Sequence, residues 1–385
     1  MGLPFEYPLR NLSRRRTRST LIAAACALVA AVLVAAFAFV GGLDKSFQRS
    51  GRSDVAVLLS AAAQRDLVRS ALTPQVAELV TAEIDGILRV HGVPAVSPEI
   101  HMATRVRLAG KSDDLQGFVR GVSERALLVH PEVTIVEGRF PGVGEIAVGR
   151  LVAARLGVEP ADIAPGKSLD MEGGTWRIAG VFAAPGSTTE AEIWAPLYEL
   201  QGKARRPDVS AVFVRFAEPG EMDALEAFAG RRLDLEMIMI VAREYYAELA
   251  AWFGPIRGLV WVMVLLIALT VVFSGANALQ MSVEERSSEL ATLRAIGFAP
   301  RSILASLVLE ALVLAAAGAL VGLLLAQFFV RGTAFRIGMG AFRLEVDAAA
   351  IAMTFGIVLF LALLGTLPAA VRVLRMRVAF ALKDD

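Results

Sequence analysis

Gly258 to Val283 reads GLVWVMVLLIALTVVFSGANALQMSV, 26 residues without one Asp, Glu, Lys or Arg. A helix rises about 1.5 Å per residue and needs about 20 residues to cross a hydrocarbon core of about 30 Å, so this run can span a bilayer. Three more runs share the property: Ser19 to Leu43, Ala311 to Val330 and Ala348 to Val371, of 25, 20 and 24 residues. Buried helices of soluble proteins seldom exceed about 14 residues without a charge, so four transmembrane helices are expected. The chain has 385 residues, 39 Lys+Arg, 38 Asp+Glu and a net charge of +1. All these charges lie outside the four runs, and there their share matches that of a water-soluble domain, about 25%. Disordered, collagenous and disulfide-scaffold classes are excluded by composition.

The first run follows an Arg-rich segment and holds Ala36, Phe37 and Ala38 in the spacing of a cleavage site. Its apolar core is longer than the roughly 7 to 15 residues of a signal peptide, so it reads as a retained anchor. The single cysteine, Cys26, allows no internal disulfide. His91, His101 and His130 stand far apart, without the spacing of metal ligands. Arg10, Arg14, Arg15, Arg16 and Arg18 precede the first run, and Arg372, Arg375, Arg377 and Lys383 follow the last. Positive-inside bias then puts both termini in the cytoplasm.

The expected fold is a membrane protein of four transmembrane α-helices, with a large α+β extracytoplasmic domain inserted between helices 1 and 2. Its layout is a cytoplasmic segment (1–18), helix 1 (19–43), the outer domain (44–257), helix 2 (258–283) and a cytoplasmic loop (284–301). Helix 3 (302–330), a short external loop (331–347), helix 4 (348–371) and a cytoplasmic tail (372–385) complete it. Within the outer domain, Ala61 to Leu88 is helix-forming with an interruption at Pro74. Glu99 to Leu108, Ala126 to Val136 and Val209 to Phe216 read as strands, and Glu221 to Arg232 as an amphipathic helix. Ser168 to Met171 and Thr175 to Val181 flank Glu172, Gly173 and Gly174 as a hairpin would. Helical composition continues from Val241 into the second span, with Gly254 and Pro255 able to bend it.

Gly110-Lys111-Ser112 and Gly166-Lys167-Ser168 end like a phosphate-binding loop but lack its first glycine, since Arg105 and Ala161 hold that place. The cytoplasmic loop says more. Ser282 and Glu285 have capping-box spacing, and Gly297 with Pro300 stops the helix that follows. Leu290, Leu293 and Ile296 or Gly297 share one side, which leaves Arg286, Glu289 and Arg294 for polar contacts with a soluble partner. A solvated connector is the plainer reading of the same residues. Glu310 is costly in a membrane and calls for a partly buried salt bridge or a helix cap. Asn277 can hydrogen-bond across helices, and Gly318 with Gly322 makes a small-xxx-small face for packing within the chain or between copies.

VEERSSELATLRAIGFAPRSI, Val283 to Ile303, resembles the cytoplasmic coupling loop of the FtsX/MacB/LolC family of ABC transporter permeases. Asn277 in FSGANALQM is similar to the asparagine late in that family's second span, and Glu310 in SLVLEALVLAAAGALVG to the acidic residue early in its third. VEGRFPGVGEIAVGRLVAARLGV, Val136 to Val158, with WRIAGVF, Trp176 to Phe182, resembles the MacB-like periplasmic core domain. The N-terminal YPLRNLSRRRTRSTL resembles the family's interfacial helix. GTLPAAVRVLRMRVAFAL resembles its exit from the last span, with Val378 where a proline is common.

The resemblance implies a permease subunit, not an enzyme, with no cofactor of its own. Two copies of a separate ABC ATP-binding subunit would hold ATP and Mg and dock on Glu285, Arg286, Glu289, Leu290, Leu293, Arg294 and Gly297. It further implies a second permease protomer, identical or paralogous, in the bacterial inner membrane among lipid, with an extracytoplasmic adaptor or acceptor as a further partner and no nucleic acid. The implied action is mechanotransmission on an amphipathic or lipid-like cargo such as a lipoprotein, lipid, peptide or drug. The alternative is a non-transporting relay that activates a cell-wall hydrolase or sensor.

Overall fold

A computed structural model describes residues 16–110, 113–330, 332–337 and 340–375. The N-terminal segment, Lys111 and Ser112, and the tail with Val378 lie outside them. The first elements are α1 (Arg16–Ser50), β1 (Val55–Ser60), α2 (Gln75–Glu83), β2 (Arg89–Val90) and β3 (Val93–Pro94). Next come β4 (Val96–Leu108), β5 (Leu115–Val122), α3 (Ala126–Val129), β6 (Thr134–Gly138), β7 (Glu145–Gly149) and α4 (Val152–Leu156). They are followed by β8 (Ser168–Met171), β9 (Gly174–Ala183), β10 (Ile193–Pro196), α5 (Leu197–Ala204), β11 (Ala211–Arg215), α6 (Asp223–Arg231) and β12 (Met237–Val241). The last are α7 (Ala242–Trp252), α8 (Gly254–Glu285), α9 (Ser287–Ala295), α10 (Pro300–Phe329), β13 (Ala334–Ile337), β14 (Gly340–Arg343) and α11 (Ala348–Arg375).

The chain divides into two units, a membrane unit (1–41, 255–333 and 344–385) and an outer unit (42–254 with 334–343). Among the described residues four helices, α1, α8, α10 and α11, are long and apolar enough to cross a bilayer. The contact between α1 and α10 is made by small residues. A side chain added at Gly318 would collide with the Ala23 carbonyl and Cys26, and one at Gly322 with the Ala27 carbonyl and Ala30. The small-xxx-small face of α10 is therefore used up against α1 of the same chain, where Ala30, Ala315 and Ala319 are fully buried. Close backbone approach of this kind replaces the hydrophobic drive that lipid removes.

In the outer unit a ten-stranded sheet runs in the order β12-β1-β11-β4-β5-β10-β7-β9-β6, with β8 pairing both β4 and β9. β1 lies between β11 and β12 and is apolar and buried from Val55 to Leu59, as a strand covered on both faces must be. β9 alternates instead, with Trp176 and Ile178 inward and Thr175 and Arg177 outward, so one face meets the core. Long β4 joins the two halves of the sheet: its start pairs with β11 and its later residues with β5 and β8. The hairpin around Glu172 and Gly173 forms between β8 and β9.

Three local readings need correction. Of Ala61 to Leu88 only α2 and a single turn at Ala61–Ala63 are helical, because Gln64 and Arg65 adopt positive φ of 49° and 66° and turn the chain. Ala126 to Val136 is not one strand but α3 followed by β6. Pro131 has no N–H for either ladder, and the chain restarts as a strand at Thr134. The stretch 331–347 is more than a loop: β13 and β14 pair and belong to the outer unit, where Arg336 Nη1 donates to the Arg155 carbonyl at 3.0 Å and Ala341 is buried with Leu151 and Ala191. From Val241 onward, helix α7 ends at Phe253, just before Gly254 and Pro255. Gly166 to Ser168 is the turn entering β8.

Candidate functional site

Three consecutive residues at the end of α8 reach three different membrane helices. Glu284 pairs with Arg372 of α11 at 2.5 Å, Glu285 with Arg18 of α1 at 3.4 Å, and Arg286 with Glu310 of α10 at 3.5 Å. The first two pairs are partly exposed and contribute little to stability. The third is different: the Arg286 and Glu310 side chains are only 2% and 9% exposed, and Arg286 also meets Glu289 at 3.4 Å. Losing one partner of a pair so buried leaves an uncompensated charge. Glu310 thus has the salt bridge its position requires, with a partner 24 residues back along the chain.

The capping box is absent. Ser282 and Glu285 lie inside α8, and α9 starts after Arg286, whose backbone breaks the helix at φ −116° and ψ 17° without a side-chain cap. Arg286 is turned inward and is not offered to a partner. Leu290 is likewise buried and, with Leu293 half-buried, packs on Val283, Ile303, Leu307, Ala369 and Val373. The apolar side of α9 is taken by its own bundle because those neighbours supply a closer apolar surface than solvent. Glu285, Glu289, Ile296 and Gly297 remain outward, and Arg294 is half-buried. Ile296 is 67% exposed at the loop tip. Gly297 adopts φ +105°, where a side chain would be strained, and this lets the chain turn into α10.

Asn277 is exposed on α8 and no hydrogen bond of its side chain is found among the described residues. Between α1, α8, α10 and α11 lies a largely apolar cavity of about 90 Å³, with Glu310 among its lining residues.

A second constellation lies in the outer unit. Arg120 on β5, 1% exposed, has Nη1 3.1 Å from Glu99 Oε2 of β4, Nη2 2.8 Å from Glu192 Oε1, and Nε 2.7 Å from Glu192 Oε2. His130 Nε2 lies 3.1 Å from Glu99 Oε1, and His101 Nε2 3.3 Å from Glu99 Oε2. Trp194 Nε1 donates to Glu192 at 3.0 Å, and Trp194 and Phe213 flank the Arg120 guanidinium. Two histidines far apart in sequence thus meet on one carboxylate. Among the described residues no acid and histidine group is arranged to hold a metal ion.

The electrostatics follow from that packing. Burial opposes charge on Glu99, but His130 and Arg120 hold its carboxyl well below the ordinary range. Burial likewise works against charge on His130, yet Glu99 and Glu132 lift it to about 9. His101 goes the other way, pushed down by burial and by Arg120. The cluster therefore holds His130 charged and His101 neutral at pH 7.

The chain thus places an α+β domain between the first and second of four membrane helices and the short helix α9 between the second and third. The profile of the MacB-like periplasmic core domain matches residues 19–229 and that of the FtsX-like permease C-terminal region residues 261–378. The chain belongs to this MacB/FtsX-like family of ABC transporter permeases and is a multi-pass protein of the bacterial inner membrane.

Among solved structures, the periplasmic region of MacB from Actinobacillus actinomycetemcomitans is 12% identical, with a TM-score of 0.39, covering 52% of this chain and 94% of that one. The extracellular domain of the ABC-type transporter YknZ from Gram-positive bacteria is 14% identical, with a TM-score of 0.37, covering 48% and 99%. A permease-protein domain from Porphyromonas gingivalis is 14% identical, with a TM-score of 0.34, covering 49% and 88%. No curated protein sequence matches the chain.

Proposed function

We propose that this permease transmits work from a separate ATPase to its outer domain, acting on an amphipathic or lipid-like cargo such as a lipoprotein, lipid, peptide or drug. The observation that carries the reading is the triple tether Glu284-Glu285-Arg286, which ties the start of α9 to α11, α1 and α10. A push on α9 then passes to α10 through the buried Arg286–Glu310 pair, with α1 and α11 reached through the more exposed pairs.

Two ATPase copies supply the ATP and Mg sites and dock on the outward face of the loop, Glu285, Glu289, Ile296 and Gly297, with Arg294 at its edge. Both termini lie on the ATPase side. A second protomer, identical or paralogous, covers Asn277, since an unmet amide in lipid is costly and a facing helix can satisfy it.

The test is the pair Glu289→Lys with Ile296→Asp, which changes the outward face while Leu290 and Leu293 still hold α9. Pull-down from mild detergent is expected to recover the ATPase with the unaltered chain and at least about tenfold less with the double variant, a loss of 1.4 kcal/mol or more. Equal recovery would remove the loop from the interface.

A further inference from the structure

Resting on that reading, we propose that Glu192 is a positioning residue shared by two buried arginines, holding Arg120 in this structure and passing to Arg155 when the outer domain changes shape. Arg155 lies on α4, is 3% exposed, and its Nε and Nη1 meet no acceptor among the described residues. Two guanidinium nitrogens buried without an acceptor are costly, and a fold that retains them calls for an explanation. Arg120, by contrast, is served twice, by Glu99 and by Glu192. Its grip on Glu192 is imperfect, since Nε is 2.7 Å from Oε2 but off the hydrogen-bond axis. Moving Glu192 to Arg155 would leave each arginine with one carboxylate, because Glu99 stays on Arg120.

The two arginines are anchored to different tethers. Glu192 follows the turn Thr188–Ala191, which the end of α1 grips: Ser50 Oγ accepts from Thr188 N at 2.8 Å and lies 3.1 Å from Ser187 Oγ. Arg155 is held by the β13–β14 hairpin through the bond from Arg336 Nη1 to its carbonyl. α1 begins as a membrane helix, and the hairpin is the connection between α10 and α11. Displacement of one tether against the other changes which arginine Glu192 meets. The charged groups acting on Arg155 are consistent with this: burial pushes its guanidinium down to about 10, Glu192 works against that, and Arg336 adds to it. On the other side Tyr246 of α7 faces Arg120 together with Glu99, His130 and Glu192.

The experiment uses the full chain in lipid nanodiscs, with thermal unfolding of the outer unit followed by the fluorescence of its buried Trp176 and Trp194. Arg155→Met is expected to raise the midpoint by about 2 °C or more, because it removes buried nitrogens that lack an acceptor, while Glu192→Gln lowers it. A fall in Arg155→Met would show a structural anchor and overturn the exchange. In the complex with the ATPase, spin labels at Tyr198 and Leu233, in a Cys26→Ala background, are expected to report an ATP-dependent distance shift in the unaltered chain and in Arg155→Lys but none in Arg155→Met. An undiminished shift in Arg155→Met would equally overturn the proposal. The thermal arm needs no partner, so a chain that recruits no ATPase would sink the transport reading and leave the arginine exchange to be decided by that arm.

Discussion

Glu310→Leu is expected to cut ATPase stimulation at least about tenfold and to destabilise the membrane unit by about 3 to 5 kcal/mol, the usual cost of stripping one partner from a buried ion pair. The reason is local: Arg286 is 2% exposed, so the charge left behind is cut off from water and loses its buried partner, keeping the exposed Glu289 at 3.4 Å. Adding Arg286→Leu to Glu310→Leu is expected to restore stability to within about 1 kcal/mol, because an apolar pair of similar volume is often as good. Coupling should stay low in the double variant, since the charged link from the start of α9 to α10 is gone and only the apolar contacts of Leu290 and Leu293 remain. Detergent-melt midpoints together with ATPase rates check both halves. A double variant as unstable as the single one would mean the pair does not act as a unit.

The second large effect is in the outer domain and depends on pH. His130 is raised to about 9 from an ordinary value near 6.5, so its contribution is complete below pH 6.5 and is lost as pH climbs through 9. The full span is on the order of 3 kcal/mol. His101, held below its ordinary value, has the opposite sign: stability falls as pH drops below about 6.5, where the unfolded chain takes up a proton the folded one resists. Thermal unfolding across pH 5 to 10 should therefore show a maximum near neutrality. Glu99→Gln is expected to lower the whole curve and flatten its alkaline limb, because the carboxylate that lifts His130 is gone. An alkaline limb unchanged in Glu99→Gln would assign the titration to another group.

The parts of this fold that were legible in the sequence are those governed by one-dimensional rules. Charge-free length marks the four spans, alternation marks β9, and Glu172-Gly173 marks a turn that only left-handed backbone can make, with φ of 48° and 69°. The helix of the loop between the second and third spans was legible in place but not in orientation. Spacing puts Leu290 and Leu293 on one side of α9 but gives no indication that Ile303, Leu307 and Ala369 would cover them. The charge pairs were hidden for the same reason. Arg120 meets Glu99 and Glu192 across 21 and 72 residues, and only the sheet order brings β4, β5 and β10 together. Two lone histidines read as unrelated for want of that register. Pro131 was a readable signal against a single strand over Ala126 to Val136.

The proposed mechanism requires nucleotide energy to reach the outer domain through the loop that carries α9. It is tested most directly by electron-electron distance measurements between labels on exposed Val143 and Leu233, in the reconstituted complex with its ATPase, before and after ATP. The predicted result is a distance distribution that moves with ATP and stops moving in Glu289→Lys with Ile296→Asp. A distribution that stays fixed while the complex hydrolyses ATP, or one that moves equally with the loop altered, would contradict it.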